Sequence, residues 1–437
     1  MSRISLLAAL ASLSVLLPVT GETLTLDVDT AVQLALENNL QIRSEQIDLN
    51  TATRSKEVAW NEYLPQINTS INLSRSNEII GLDPSPWNLG FSVEASLAPS
   101  AATQYAVREA GLAYESGLID FQTAKIQVER DVRKAFFSLI VAEQSIQLAE
   151  QELVTAQKRY QQTLQNFEAG LVPRLQALSA QVAMENLKPA LERQRIGYTT
   201  ALMNFAFMLG LDSKDEIELQ GSIEAEAHSF DAGRLIQRYV NNRLNVQSLL
   251  KQIEILGNTK RLSRIAGFSP TVSLSYSYAP GLNDPFGSGW SNDDSWSDSG
   301  RLVLAVMMPL HAFIPGSQFR EGLAELDDGI EKLHLALEQV REAAAIEIES
   351  IVLELEKSQR SMTAFDLNVE LAREAYDLTE EAYRAGTEEL LEVQNASDEL
   401  NKAQLALLNE KYTYLSGLLD LEYALNTKLS ELEESNE

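Results

Sequence analysis

The chain has 437 residues, with 35 Lys and Arg against 63 Asp and Glu, for a net charge of −28. That balance excludes nucleic acid as the main partner, because phosphate binding needs net basic patches. With no Cys there is no disulfide framework, thiolate metal site, Cys nucleophile or lipidated N-terminal Cys, and His228, His311 and His334 lack ligand spacing, so no metal or cofactor is expected.

In chain order, Met1 to Gly21 reads as an export signal: Arg3 supplies the positive start, Ile4 to Leu17 is the apolar run, and small residues close it at Gly21. The apolar run is too short to span a bilayer, and no later run is long enough, so helices are not the route into a membrane. Pro65 then ends the first helical stretch. From 66 to 75 the sequence alternates, Ile67, Thr69, Ile71 and Leu73 against Asn68, Ser70, Asn72 and Ser74. From 89 to 98, Leu89, Phe91, Val93, Ala95 and Leu97 alternate with Gly90, Ser92, Glu94 and Ser96, and Pro99 follows. Period two predicts strands with one apolar face, each long enough for a tilted transmembrane strand. The turn between them, Ser76–Asn88, is polar and carries Gly81, Pro84 and Pro86.

Helical periodicity runs from about Ser100 to Glu168, on the order of 100 Å at 1.5 Å per residue, which no compact domain contains. Ile146, Leu153, Tyr160 and Phe167, with Ala149, Ala156 and Thr163 between them, form a coiled-coil seam of large knobs over small holes. Gly170 marks a tight turn, Pro189 is expected to kink the next helix, and an acidic connector covers 211–230.

The remainder repeats the first half. Phe167-Glu168-Ala169-Gly170 recurs as Tyr383-Arg384-Ala385-Gly386, an offset of 216, and Leu175, Ala180, Leu191 and Tyr198 recur as Leu391, Ala396, Leu407 and Tyr414. Upstream the offset is near 204, with Asp27, Val32, Leu40 and Ser44 matching Asp231, Ile236, Leu244 and Ser248. Two further strands are predicted at 271–278 and 301–308, after Pro270 and before Pro309; proline suits a helix–strand joint because it cannot donate a hydrogen bond and holds its predecessor extended. The expected organisation is a signal at 1–21, a first repeat at 22–210, the connector at 211–230, a second repeat at 231–426 and an acidic tail at 427–437.

Four strands with an apolar face leave two open edges, which lipid does not tolerate, and small membrane barrels need about eight strands. One chain is therefore expected to supply a sector of a homo-oligomeric barrel. The alternative is a periplasmic coiled-coil adaptor or structural protein whose hairpins are soluble and form no pore. No G-x-x-x-x-G-K, H-E-x-x-H or G-x-S-x-G pattern occurs, so an enzyme is not expected.

Three segments carry a resemblance: Leu26 to Asn39 (LDVDTAVQLALENN), Tyr63-Leu64-Pro65, and Tyr383 to Ala396 (YRAGTEELLEVQNA). In this order, duplicated and interrupted by two hairpins, the chain resembles the TolC family of outer membrane efflux proteins. The resemblance implies a mainly α fold with a β-barrel sector: a homotrimer with a 12-stranded barrel in outer-membrane lipid and a periplasmic α-barrel, the connector near its equator. It implies an exit duct in the cell outer membrane, recruited by a periplasmic adaptor and an inner-membrane transporter for efflux or type I secretion. Gly170, Leu171 and Gly386 would be the adaptor-contact tip, a role compatible with their being plain hairpin turns. The family's gate positions fall on Tyr383, Glu388, Glu392 and Asn395. Asn395 lacks the family's acid and Glu388 replaces a base, while copies of Glu392 near a pore axis would favour cations; a solvated outer face is the other reading of these glutamates.

Overall fold

A computed structural model describes residues 24–75, 87–212, 215–224, 226–287, 289–429 and 431. The export-signal reading, most of the Ser76–Asn88 turn and the end of the acidic tail lie outside the described residues. The elements are β1 (Leu24–Leu26), α1 (Val28–Asn38), α2 (Leu40–Val58), β2 (Gln66–Ser74), β3 (Asn88–Leu97), α3 (Thr103–Glu168), α4 (Arg174–Leu209), β4 (Ile217–Leu219), α5 (Ala232–Tyr239), α6 (Leu244–Phe268), β5 (Thr271–Tyr278), β6 (Gly281–Asn283), β7 (Trp296–Ser297), β8 (Gly300–Met307), α7 (Gln318–Arg384) and α8 (Leu390–Leu425).

The duplication is visible in the element ends. Helices α4 and α8 both have 36 residues and start 216 residues apart, at Arg174 and Leu390. Helices α3 and α7 have 66 and 67 residues and end 216 apart, at Glu168 and Arg384. The start of each half is also built alike: Asp27 caps α1 by accepting from the Thr30 amide at 2.8 Å, and Asp231 caps α5 by accepting from the Arg234 amide at 3.1 Å. These bonds hold both carboxyls below the ordinary carboxylate range. Pro189 lies inside α4 without ending it.

The chain forms two compact units, and each draws on both halves of the sequence. The first comprises the described residues within 24–39, 128–227 and 357–416. Its core gathers Leu26, Ala31 and Ala35 with Val132 and Phe136 of α3 and Phe205 and Leu209 of α4, all fully or almost fully buried. The Phe136 and Phe205 rings lie 6.3 Å apart. A parallel β1–β4 pair, Leu24 against Ile217 through Leu26 against Leu219, ties the connector to this core. Sequence reading missed that pair, because three residues are too few to show a period. The coiled-coil seam is present as expected: Ile146, Leu153, Tyr160 and Phe167 are half-buried, and Thr163 is fully buried.

The second unit comprises the described residues within 40–127, 228–356 and 417–431 and contains the sheet. The backbone order is β2, β3, then β5 continued by β6, then β8 with β7 beyond it, all antiparallel. Strands β2, β3, β5 and β8 fall within one residue of their predicted limits. Between β5 and β8 the ladder is prolonged through β6 and β7 past a break at Ala279-Pro280. Beneath the sheet, Phe268 meets Phe313 at 5.3 Å and Phe319 at 5.6 Å, and Gly267 faces the Phe319 ring so closely that a Cβ would overlap it.

Candidate functional site: the sheet and the helical tips

Register decides which residues share a face. One cross-strand row runs Ile67, Ala95, Tyr276, Leu302, and another runs Leu97, Leu274, Leu304. Ile71 sits opposite Phe91, and Val272 opposite Val306. The alternation within every strand therefore sums to one continuous apolar face. That face is bare, with Ile71 72% exposed, Leu304 70% and Tyr276 50%. The other face carries the row Asn68, Glu94, Ser277, Arg301, and the Ser70 and Ser92 hydroxyls meet at 2.7 Å. A sheet bare and apolar on one face and polar on the other is suited to lipid outside and water inside.

Aromatic residues bracket the strands. At the loop end, Trp87 and Phe286 meet edge to face at 6.1 Å and Trp290 and Trp296 at 5.7 Å. At the helix end stand exposed Trp60 and Tyr63, with Phe313 beyond β8. Such girdles mark the two interfaces of a membrane barrel. Pro65 and Pro270 immediately precede β2 and β5, and Pro99 and Pro309 follow β3 and β8 by two residues, at the predicted joints. No helix among the described residues is long and apolar enough to cross a membrane.

The two helical tips are built identically. Gly170 has φ +73° and its amide donates to the Phe167 carbonyl at 2.9 Å; the Leu171 amide donates to Asn166 at 2.8 Å. Gly386 has φ +79°, with Gly386 donating to Tyr383 and Thr387 to Ala382, both at 3.0 Å. This is the left-handed helix stop that glycine favours. Leu171 is 73% exposed, so each tip presents its turn to solvent. Of the gate candidates, Tyr383 is half-buried in the last turn of α7, while Glu388, Glu392 and Asn395 are exposed at and after the turn. Among the described residues no side-chain bond joins these four to one another.

Sequence reading also missed an acid within the first unit. Glu152 of α3 has its pKa pushed up, by burial first and by the Asp398 carboxylate of α8 second, against opposing effects of Asn401 and Arg159. Its heptad position is unremarkable in sequence, and only the packing of α8 reveals it.

A lipid-compatible sheet carried on long helical hairpins is the wall of an outer-membrane transport channel. The outer membrane efflux protein family matches residues 31–211 and 235–427, and the chain belongs to that family. It is an outer-membrane efflux channel with a large periplasmic part. It is 22% identical over 422 residues to the outer membrane protein TolC of Salmonella enteritidis, covering 90% of this chain and 81% of that protein. In fold it is similar to the Campylobacter jejuni CmeC outer membrane channel (TM-score 0.78, 15% identity, 94% of this chain and 88% of that one). It is similar also to the open state of the Neisseria gonorrhoeae MtrE outer membrane channel (TM-score 0.75, 17% identity, 92% and 89%).

Proposed function

We propose that the protein is a passive, non-enzymatic exit duct formed by three copies of this chain, gated at its periplasmic tip and recruited by a periplasmic adaptor that couples it to an inner-membrane transporter. In this reading 22–210 and 231–426 are the tandem repeats, joined by the 211–230 connector near the tunnel equator after removal of a signal at 1–21. The observation that carries it is the sheet. Its apolar face suits lipid, yet among the described residues β2 and β8 each pair on one side only, and an open edge in hydrocarbon is costly. Three copies would close twelve strands and remove every edge.

The helices support the same closure. On α4, Leu175, Val182, Pro189, Ile196 and Met203 lie seven apart and are all exposed. On α7, Leu367, Leu371 and Leu378 are more than half exposed. Their repeat counterparts on α3, Gln151, Thr155 and Gln162, are polar. Two different bare stripes on one chain fit a head-to-tail contact that closes into a ring.

Gly170, Leu171 and Gly386 are the proposed adaptor contacts. Tyr383, Glu388, Glu392 and Asn395 are the proposed gate, and Pro65, Pro99, Pro270 and Pro309 the joints between tunnel and barrel. The test is purification in detergent followed by planar-bilayer recording. A trimer with heat-modifiable migration and single-channel current is expected; a monodisperse single-chain particle, soluble without detergent and never conducting, overturns the reading in favour of a poreless adaptor.

A further inference from the structure

Strands β2, β3, β5 and β8 contain two charged residues, Glu94 and Arg301, of opposite sign, in a chain whose net charge is −28. Both lie on the polar face, and register sets them in one row: Glu94 stands opposite Ser277, and Ser277 opposite Arg301. Each charge is therefore carried one strand, about 5 Å, from the Ser277 backbone, and the two charged positions are about 10 Å apart. Both side chains are exposed, and among the described residues neither is ion-paired. Every other position on this face is uncharged, with Ser70, Ser92, Ser273 and Ser275 along its middle.

A lone acid on this face, repeated by three copies, would draw cations into the barrel and repel anions. A base in the same row cancels that field across the lumen and leaves it strong only close to the wall. Strand order fixes how the signs recur. In the order β2, β3, β5, β8, the two charged strands are two steps apart. Joining β8 to the β2 of the next copy leaves two steps again before the next Glu94. The signs would then alternate at every second strand around all twelve.

We propose that Glu94 and Arg301 form a neutral ring of alternating charge on the inner wall of the barrel, and that this pair makes the exit pass small solutes of either sign alike. The inference rests on the trimeric duct reading above and adds to it the residues that set charge preference in the barrel. Sorting by sign then belongs elsewhere along the duct. The competing account is a structural tie between β3 and β8. The ladder already holds those strands, because β5 pairs with both.

The chain has no Cys, so Ser277→Cys sets a single thiol between the two charges. Full-length trimers carrying it are treated in detergent with a cationic and an anionic methanethiosulfonate of similar size. Reaction rates are read by mass, and single-channel current of the same preparation is recorded in parallel. Corrected for their rates with a free thiol, the two reagents are expected to react within about twofold of each other. Glu94→Gln in this background is expected to favour the anionic reagent by roughly threefold or more, and Arg301→Gln the cationic one by as much. The double variant returns to the parent ratio, and Glu94→Asp and Arg301→Lys, which keep the charges, hold it. Glutamine already stands on this face at Gln66, so the neutral variants suit the sheet. An unreactive thiol, ratios unmoved by either neutral variant, or shifts in the same direction overturn the ring. A structural tie would show instead as a lower melting temperature with an unmoved ratio. Conducting trimers beside any of those results leave the duct reading standing, whereas a preparation that never forms trimers or conducts overturns the duct reading and the ring with it.

Discussion

Three of the four left-handed glycines, Gly170, Gly210 and Gly386, end helices and differ in what surrounds them. At Gly170 and Gly386 an added Cβ would meet nothing within 4 Å, so Gly170→Ala carries only the left-handed backbone penalty, about 1–2 kcal/mol. Gly210 has φ +74°, but there a Cβ would stand 2.6 Å from the Asn38 carbonyl oxygen, where α1 packs on the end of α4. Gly210→Ala is therefore expected to cost on the order of 3 kcal/mol, from overpacking added to backbone strain, and comparative thermal melts of the two variants check the difference. A bulky residue at Gly170 or Pro at Gly386 is expected to impair pump recruitment while membrane insertion persists; co-purification of the pump beside a heat-modifiability assay separates the two. Glu152 sets a pH dependence. A carboxyl whose folded pKa is raised weakens the fold as pH climbs from its unfolded value through the raised one, and the cost is fully present above that. Glu152→Gln should then melt higher than the parent at neutral pH, with the gap closing below the ordinary carboxylate range near pH 4. Glu392→Lys is expected to change cation block of single-channel current, and coincident block curves would remove Glu392 from the gate. At this scale the tip glycines were legible because a left-handed stop favours one residue type. Glu152 was not, since its role depends on which helix packs beside it.

Among the elements, the strands were the most legible part of the chain. A period of two over eight to ten residues, stopped by proline at the helix end of each strand, leaves little room for another reading, and β2, β3, β5 and β8 fall where alternation places them. Shorter strands escaped: β6 and β7 have three and two residues, and their ladder depends on register inherited from β3 across the Pro280 break. Register also identifies which substitution the sheet cannot accept. Leu304 lies mid-strand on the bare face beside Leu274, so Leu304→Arg is expected to oppose insertion by about 2–4 kcal/mol if the site lies at mid-bilayer. Ser275, one position along β5 from Leu274 and on the opposite face, should accept Arg at far lower cost. Outer-membrane yield of the heat-modifiable form distinguishes them.

For the whole molecule, the coiled-coil seams announced long paired helices, but periodicity alone did not say which stripes stay bare in one chain. Exposure does: the Leu175-to-Met203 row on α4 and the Leu367–Leu378 row on α7 stay bare, and the proposed closure covers them with another copy. Ile196→Lys with Met203→Lys should leave the single chain folded and reduce the trimer fraction, measured by mass in detergent. The parallel pairing of β1 with β4 has a temporal consequence. Leu24 has no strand partner until Ile217 is available, 217 − 24 = 193 residues later. The opening segment must therefore stay uncommitted while nearly half the polypeptide is delivered, and long-separation pairing of this kind forms late. A chain interrupted before the connector would have its first strand idle, the backbone groups that pair with β4 left open, a ready mark for proteolytic clearance of incomplete copies.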